Sequence, residues 1–309
     1  MEQQAISPIF LHQCILGTAG LGGVWGKVDP EESVQTILEA LAHGVTALDT
    51  APAYGDAELF IGEAIKQWKG PIPQISTKVG RLKSYATDEC YYDYSAEGME
   101  KSVVNSLKIL SVPVIDILFL HEPSAIPPDE AEGIIKNILT FKHKGYTKRI
   151  GLGGNSPDWF RKYITADIFD VVMEFNRLDA SCLDAMDTSL PDCESKGIDF
   201  YVASPLHMGL LGSCFDSFVD SPPMWLPAND INRAKRIKEI ADRYNMPLPS
   251  LAHRFLLSLR HNFKIVIGAV NITQLRNTLG DFEAGPLSRD IYEEVIDTIK
   301  EQMNDASNR

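Results

Sequence analysis

Asp49, Tyr54, Lys78 and His121 fall at or just beyond the ends of three successive apolar runs, TALDTA (46–51), QISTKV (74–79) and DILFLH (116–121). Taken singly, each has a structural explanation. A strand-end Asp caps a loop, a buried Lys pairs with an Asp, and a lone His is most often a satisfied core residue. Together they make chemistry. An Asp–Lys pair in a water-poor pocket keeps the ammonium charged, and that charge beside a phenol is expected to lower the tyrosine pKa from its reference of about 10. A tyrosine shifted toward neutrality moves a proton near physiological pH, worth roughly 10²–10⁴ in rate. His121 is placed to hydrogen-bond the reacting oxygen and orient it. Proton transfer at oxygen, with no nucleophile and no metal-ligand set in the sequence, points to alcohol/carbonyl interconversion. That reaction needs a hydride carrier.

The elements that must position these residues recur along the chain. Five further β-type runs are CILGTA (14–19), KRIGLG (148–153), FDVVMEF (169–175), FYVASP (200–205) and KIVIGA (264–269). All eight are close to continuously apolar, as in strands buried on both faces of a parallel sheet. Amphipathic stretches separate them. Asp29-Pro30-Glu31-Glu32 supplies an N-cap, a first-turn proline and acidic first-turn residues, Val34, Ile37, Leu38 and Leu41 keep helical spacing, and Gly44 closes the segment. Further helices are expected near 57–69, 96–110, 129–144, 157–165, 182–196, 231–244 and 248–260. Strict alternation predicts an α/β fold, a (β/α)8 TIM barrel, with an open doubly wound sheet as the competing architecture. The whole chain, 1–309, reads as a single domain with a C-terminal helical extension, whose Ile291, Val295 and Ile299 share one face and whose last residues, NDASNR, are expected to fray. The longest irregular stretches, 80–94 and 207–230, both follow strands. The first carries Tyr85, Tyr91, Tyr92 and Tyr94, the second Met208, Phe215, Phe218 and Trp225, which either line a substrate pocket or pin the loops to the rim.

Composition narrows the partners. With 29 Lys and Arg against 42 Asp and Glu in 309 residues, the formal net charge is −13, which opposes nucleic acid or an anionic membrane as a partner. No apolar run approaches the roughly 18 residues of a membrane span. The start, MEQQAISPIF, lacks the basic stretch and apolar core of a signal peptide. Five scattered cysteines (Cys14, Cys90, Cys182, Cys193 and Cys214) form no CxxC pair, so a reducing cytoplasmic location is expected. Other chemistries fail on their motifs. Trp25 and Ser156 each stand where a dinucleotide fingerprint needs its third glycine, Leu21 and Val28 break a P-loop, and His121-Glu122 lacks a second zincin histidine.

LDTAPAYG (48–55), STKVG (76–80) and LFLHEP (118–123) resemble, in order and spacing, the tetrad motifs of the aldo-keto reductase superfamily. The resemblance runs from about residue 14 to 280. It implies that Asp49, Tyr54, Lys78 and His121 form the tetrad with Tyr54 as the acid/base, and that a nicotinamide cofactor lies across the barrel mouth. By the same resemblance the cofactor meets Gly17, Thr18 and Asp49, then Asn155 after the fifth strand and Ser204, Pro205, Leu206 and Met208 after the seventh. Gly268, Val270, Gln274 and Thr278 complete the set. Gly153-Gly154 precede Asn155 where family members usually carry Ser-Asn, Val172 stands where a Gln is common, and Ala203 where many place a Tyr under the nicotinamide. ASPLHMGLLG (203–212) and SPPMWLPA (221–228) are most similar to the L-galactose and L-fucose dehydrogenase branch. That likeness implies oxidation of C1 of an aldose of the L-galactose, L-fucose or D-arabinose type to the lactone, with Trp25, Tyr54, His121 and Trp225 against the substrate.

Cofactor choice is expected to favour NAD over NADP. Asn271 and Gln274 have capping-box spacing, so a helix begins there and offers its N-terminal amides to phosphate. NADP-preferring relatives carry a Lys and an Arg at the positions of Gly268 and Gln274, and losing two cations weakens recognition of a 2′-phosphate. Arg276 is the available substitute. The alternatives are an NADP-dependent reductase of aldehydes or ketones, and a non-catalytic subunit associated with a channel. The latter is expected to carry a longer N-terminal segment than the 13 residues preceding the first run. The expected partner is a small sugar or carbonyl compound, and the expected assembly a monomer or small homo-oligomer.

Overall fold

All eight apolar runs form strands: β1 (Cys14–Gly17), β2 (Ala47–Asp49), β3 (Gln74–Val79), β4 (Ile115–His121), β5 (Thr147–Gly153), β6 (Val171–Phe175), β7 (Asp199–Ala203) and β8 (Phe263–Gly268). In the computed structural model, which describes residues 10–86 and 89–307, they close in chain order into one parallel barrel, with β8 returning to β1. The barrel, not the open sheet, is the architecture. Its register places the chemistry on one rim: Gly17 pairs with Asp49, Asp49 with Ser76, Lys78 with Phe119, and His121 with Gly153.

Strand alternation divides the core in two. Ile15, Ile117, Phe119, Val171, Met173, Tyr201 and Val266 fill the barrel interior, while the intervening residues join the larger layer between strands and helices. Gly151 makes the interior possible, because a Cβ there would lie 2.4 Å from the Phe119 ring. The same alternation puts Val172 in the outer layer and Glu174 beside Ser189 and Arg177, so neither lies on the interior wall.

The outer ring comprises α1 (Pro30–Ala42), α2 (Ala57–Gln67), α3 (Ala96–Leu110), α4 (Ala131–His143), α5 (Ser189–Lys196), α6 (Phe215–Asp220), α7 (Ala228–Arg243), α8 (Leu248–Ser258), α9 (Ile272–Ala284) and α10 (Arg289–Ser307). Helix α1 starts as its sequence dictates, with the Asp29 carboxylate accepting from Glu32 N at 3.0 Å. Three expectations are corrected. The stretch 157–165 forms only a 3-10 turn, Asp158–Tyr163, closed by Phe160 packing on Trp159, Tyr163 and Phe169, so the alternation with α-helices breaks after β5. The helix expected over 182–196 splits into a 3-10 turn, Asp184–Asp187, and α5. The long stretch 207–230 is not irregular, since it holds the turn His207–Gly209, α6 and the start of α7.

Helix α10 packs on the barrel's outer layer through Ile291, Val295 and Ile299, with Tyr292 stacked on Phe255 at 5.9 Å. It runs to Ser307. The readings placed on residues 1–9 and on Asn308 and Arg309 lie outside the described residues. Among the described residues, no helix is long and apolar enough to cross a membrane, and the five cysteines form no disulfide.

Candidate active site

The four residues singled out by type converge at the carboxyl end of β2, β3 and β4. Asp49 ends β2, Lys78 is the penultimate residue of β3 and His121 ends β4. Lys78 Nζ donates to Asp49 Oδ2 at 2.6 Å and to the Thr50 carbonyl at 2.8 Å, and Ser76 Oγ donates to Asp49 Oδ1 at 2.7 Å. Both ion-pair partners are buried. Tyr54 reaches this pair from the turn after β2. Its ring centroid is 4.7 Å from Lys78 Nζ and 5.9 Å from the His121 ring, edge to face.

That turn is fixed by backbone. Asp56 N donates to the Gly22 carbonyl and Gly55 N to that of Ser84. A Cβ on Gly22 would fall 1.8 Å from the Tyr54 carbonyl oxygen, so only glycine allows the approach. The glycine run 20–23, which fails as a dinucleotide fingerprint, therefore serves to seat the Tyr54 turn.

The electrostatics correct one expectation. Burial raises the Tyr54 pKa above its ordinary value by more than the facing Lys78 ammonium lowers it, and Asp49 and Glu122 push it further up. Tyr54 is a neutral phenol here, not one shifted toward neutrality. Burial also disfavours the Lys78 ammonium, but Asp49 and Tyr54 more than offset it and hold its pKa above the usual lysine value. His121 is held neutral, its pKa well below the usual histidine range, first by burial and then by Lys78 and Arg81. The mouth thus contains one fixed ammonium, one phenol and one neutral imidazole.

Two residues beside the tetrad escaped the sequence reading. Glu122 follows His121 in the left-handed conformation (φ 56), with Oε1 4.0 Å from His121 Nε2. Arg81 Nη1 donates to the same Oε1 at 3.4 Å. Tyr94 clamps this corner, its hydroxyl shared between the carbonyls of His121 (2.7 Å) and Glu122 (3.0 Å), and Tyr92 stacks on it at 5.8 Å. Tyr94 therefore pins its loop, whereas Tyr85 and Tyr91 are exposed. The available signal is adjacency to His121 within LFLHEP.

The cofactor side is built differently. Thr18 spends both its N–H and its hydroxyl on the Asp49 carbonyl, at 2.9 and 3.0 Å. Gly17 and Gly268 face each other in register, and a Cβ on Gly268 would meet nothing within 4 Å, which leaves this part of the rim open. Asn155 exchanges two hydrogen bonds with the Phe175 backbone (3.0 and 3.1 Å), keeping one amide hydrogen and one lone pair for a ligand. After β7, Ser204, His207 and Met208 are all left-handed (φ 55, 49 and 53), and Ser204 Oγ contacts Met208 Sδ at 3.3 Å. Pro205 and Leu206 lie within this turn.

Asn271 Oδ1 accepts from Gln274 N at 2.9 Å, the N-cap half of a capping box, while Gln274 Oε1 accepts at 3.2 Å from Val270 N, one residue before the N-cap. Helix geometry directs the amides of Ile272 and Thr273 out of the α9 N-terminus, with Thr278 buried a turn further on. Arg276, the available substitute, has its Nε paired with Glu39 on α1 at 2.6 Å and is 61% exposed at its side chain. Trp25 lies beside Val270 over Gly20, on the β1/β8 side, while Trp225 packs edge to face on Phe218 at 5.7 Å. Each is 51% exposed. An open glycine rim, a capped helix N-terminus and a backbone-rich turn fit an extended anionic dinucleotide. Among the described residues no cluster of His, Cys, Asp or Glu suits a metal ion.

A parallel barrel that gathers Asp49, Tyr54, Lys78 and His121 on its carboxyl rim, beside an edge of glycine and helix-end amides, is the frame of an oxidoreductase. The family model described as "Aldo/keto reductase family" matches residues 13–300, and the chain belongs to that family, whose members use nicotinamide cofactors. L-galactose dehydrogenase of Arabidopsis thaliana is 28% identical over 85% of this chain and 82% of that protein. The NADH-specific methylglyoxal reductase of Escherichia coli K12 is 27% identical over 88% of this chain and 90% of its own. Among solved structures, glycerol dehydrogenase from Gluconobacter oxydans superposes with a TM-score of 0.74 at 21% identity, covering 94% of this chain and 92% of that one.

Proposed function

We propose that this protein oxidises C1 of an aldose to the lactone, with Tyr54 exchanging the hydroxyl proton and NAD as the preferred carrier. The nicotinamide, when bound, takes or gives the hydride at the reacting carbon. Every other role falls to the chain. Gly17, Gly268, Asn155, the Ser204–Met208 turn and the α9 N-terminus would hold the dinucleotide. His121, neutral, donates to the reacting oxygen without competing for its proton. Lys78, fixed by Asp49, stabilises the charge that develops on Tyr54 oxygen.

What carries the oxidoreductase part of this reading is the Lys78–Asp49 pair buried beneath Tyr54 beside an uncharged His121. The sugar rests on the likeness to L-galactose dehydrogenase along most of both chains. The raised Tyr54 pKa favours a second reading. A neutral phenol is ready to protonate a carbonyl, so reduction of an aldehyde or ketone is the competing direction.

Absorbance at the reduced-nicotinamide band separates the two. Purified protein is given NAD or NADP with L-galactose, L-fucose, D-arabinose and simple alcohols. The expected result is sugar oxidation with NAD, lowered roughly 10²–10⁴-fold by Tyr54→Phe. Because Tyr54 must be ionised to act as a base, the oxidation rate should climb with pH toward the phenol's raised pKa. Silence on every sugar, with reduction of methylglyoxal or simple aldehydes by NADPH, would leave the reductase reading standing.

A further inference from the structure

We propose that Arg81 and Glu122 form a recognition pair for a hydroxyl group next to the reacting carbon, which makes vicinal hydroxycarbonyl compounds and polyols the substrate class. The inference rests on the oxidoreductase reading of the tetrad and deepens it, but does not depend on which sugar is used.

Glu122 is a titratable group that tetrad chemistry leaves without a task, yet it sits among the reacting residues. Its Oε1 is 4.0 Å from His121 Nε2, and its charge acts on both Tyr54 and Lys78. The side chains of Arg81 and Glu122 are 14% and 19% exposed, so the pair is largely drawn in beside His121 without being sealed off. Its geometry is held from behind. Tyr94 fixes the Glu122 carbonyl, and Glu122 N donates to the Gly153 carbonyl at 2.8 Å, which together keep a non-glycine residue in the left-handed region.

The chemistry of the pair selects its ligand. A substrate oxygen set between Tyr54 and His121 brings the neighbouring carbon to within a few ångströms of the carboxylate 4.0 Å beyond the imidazole. A hydroxyl on that carbon both donates and accepts. It can give a charge-assisted bond to Glu122 and take one from the Arg81 guanidinium. An alkyl group there would strip water from both ions and return nothing. A site built to bond a hydroxyl rejects the analogue lacking it by up to about 10⁴–10⁵ when fully buried. Partial exposure lets water stand in, and discrimination here should be nearer 10–10²-fold.

Glyceraldehyde and propanal, which share three carbons and differ in two hydroxyls, are the test pair, assayed as reduction by NADH. Wild type should prefer glyceraldehyde about 10–10²-fold in kcat/KM. Glu122→Gln, nearly isosteric, should erase most of that preference by raising the KM for glyceraldehyde alone, while the lost charge beside Tyr54 shifts kcat for both aldehydes alike. Arg81→Gln should do the same more weakly. An equal loss on both substrates, a change confined to kcat, or an unchanged ratio overturns the proposal. The sugar reading fails separately: a wild type that oxidises no aldose but loses its glyceraldehyde preference in Glu122→Gln keeps this inference and discards that one. A wild type that oxidises aldoses with an unmoved ratio does the reverse.

Discussion

The two halves of the barrel mouth are made from different materials. Around β2 to β4 the site consists of side chains: Asp49, Lys78 and His121 sit buried on strand ends, with Lys78 and Asp49 holding each other by charge. Around β7, β8 and α9 it consists mainly of backbone and missing side chains: Gly17, Gly268, a left-handed turn and the first amides of a helix. The acid–base half must tune proton affinities, which needs ionisable groups at fixed distances in a poorly solvated place. The other half must accept a long anionic ligand, which needs room and N–H groups.

The largest effect should come from breaking the first half. Lys78→Met leaves the Asp49 carboxylate buried without its ammonium and Tyr54 without its facing charge. Removing one member of a buried pair costs about 3–5 kcal/mol of stability, and turnover should fall at least as far as with Tyr54→Phe. Urea unfolding and nicotinamide absorbance report the two losses. The double variant Asp49→Asn/Lys78→Met should recover much of the stability and none of the activity, because the neutral pair no longer buries an uncompensated ion. If the single variant unfolds at the wild-type midpoint, charge is not what holds this half together.

This contrast also explains what could be read from the sequence. Buried strands announce themselves as apolar runs, so the barrel was legible, and the strand ends then located Asp49, Lys78 and His121. The helix after β5 was misread because Phe160 packs among aromatic neighbours in a tight 3-10 turn, which has the same composition as an amphipathic helix. The direction of the Tyr54 shift is not legible in sequence, because a motif names the neighbouring charge but not the burial that opposes it. Gly22 looked like part of a failed phosphate motif, and only the 1.8 Å approach to the Tyr54 carbonyl reveals its task. Backbone sites leave few marks in residue types, and long-range partners such as Asp179 and Asp230 for His207 leave none.

That last group gives the next test. His207 is buried with Nδ1 2.7 Å from Asp179 and Nε2 3.4 Å from Asp230, which also pairs with Arg233. Burial alone would lower its pKa, but the two carboxylates raise it to about 10. The imidazolium thereby ties the segment after β6 and the start of α7 to the turn of Ser204–Met208. The left-handed residues of that turn cost roughly 1–2 kcal/mol each. Its stabilisation is fully present below the unfolded-state pKa of about 6.5, shrinks as pH rises, and is gone once pH passes the folded value of about 10. His207→Gln should therefore lower the urea midpoint most near pH 6 and least near pH 10. It should also weaken dinucleotide binding about tenfold, as expected if an ordering cost near 1.4 kcal/mol moves to the binding step. A variant with unchanged affinity and a parallel pH profile would show that the turn stands without its latch.

The smallest and sharpest effects concern cofactor choice, where the second half lacks charge. From Gly268 to Thr278 the only cation is Arg276, 61% exposed at its side chain and paired with Glu39. Gln274→Arg puts a guanidinium on the first turn of α9. It should raise NADP affinity relative to NAD about tenfold or more, since one hydrogen bond to a charged group is worth about 1.5–3 kcal/mol. The loss of the exposed Gln274 side-chain bond to Val270 N should lower overall stability only slightly. Arg276→Gln is the control that can break the comparison. An exposed ion pair contributes about 0–1 kcal/mol, so this variant should keep both its stability and its ratio of NADP to NAD affinity. A tenfold drop in NADP affinity alone would mean that Arg276 leaves Glu39 to meet the 2′-phosphate, and that the backbone half recruits a side-chain charge after all.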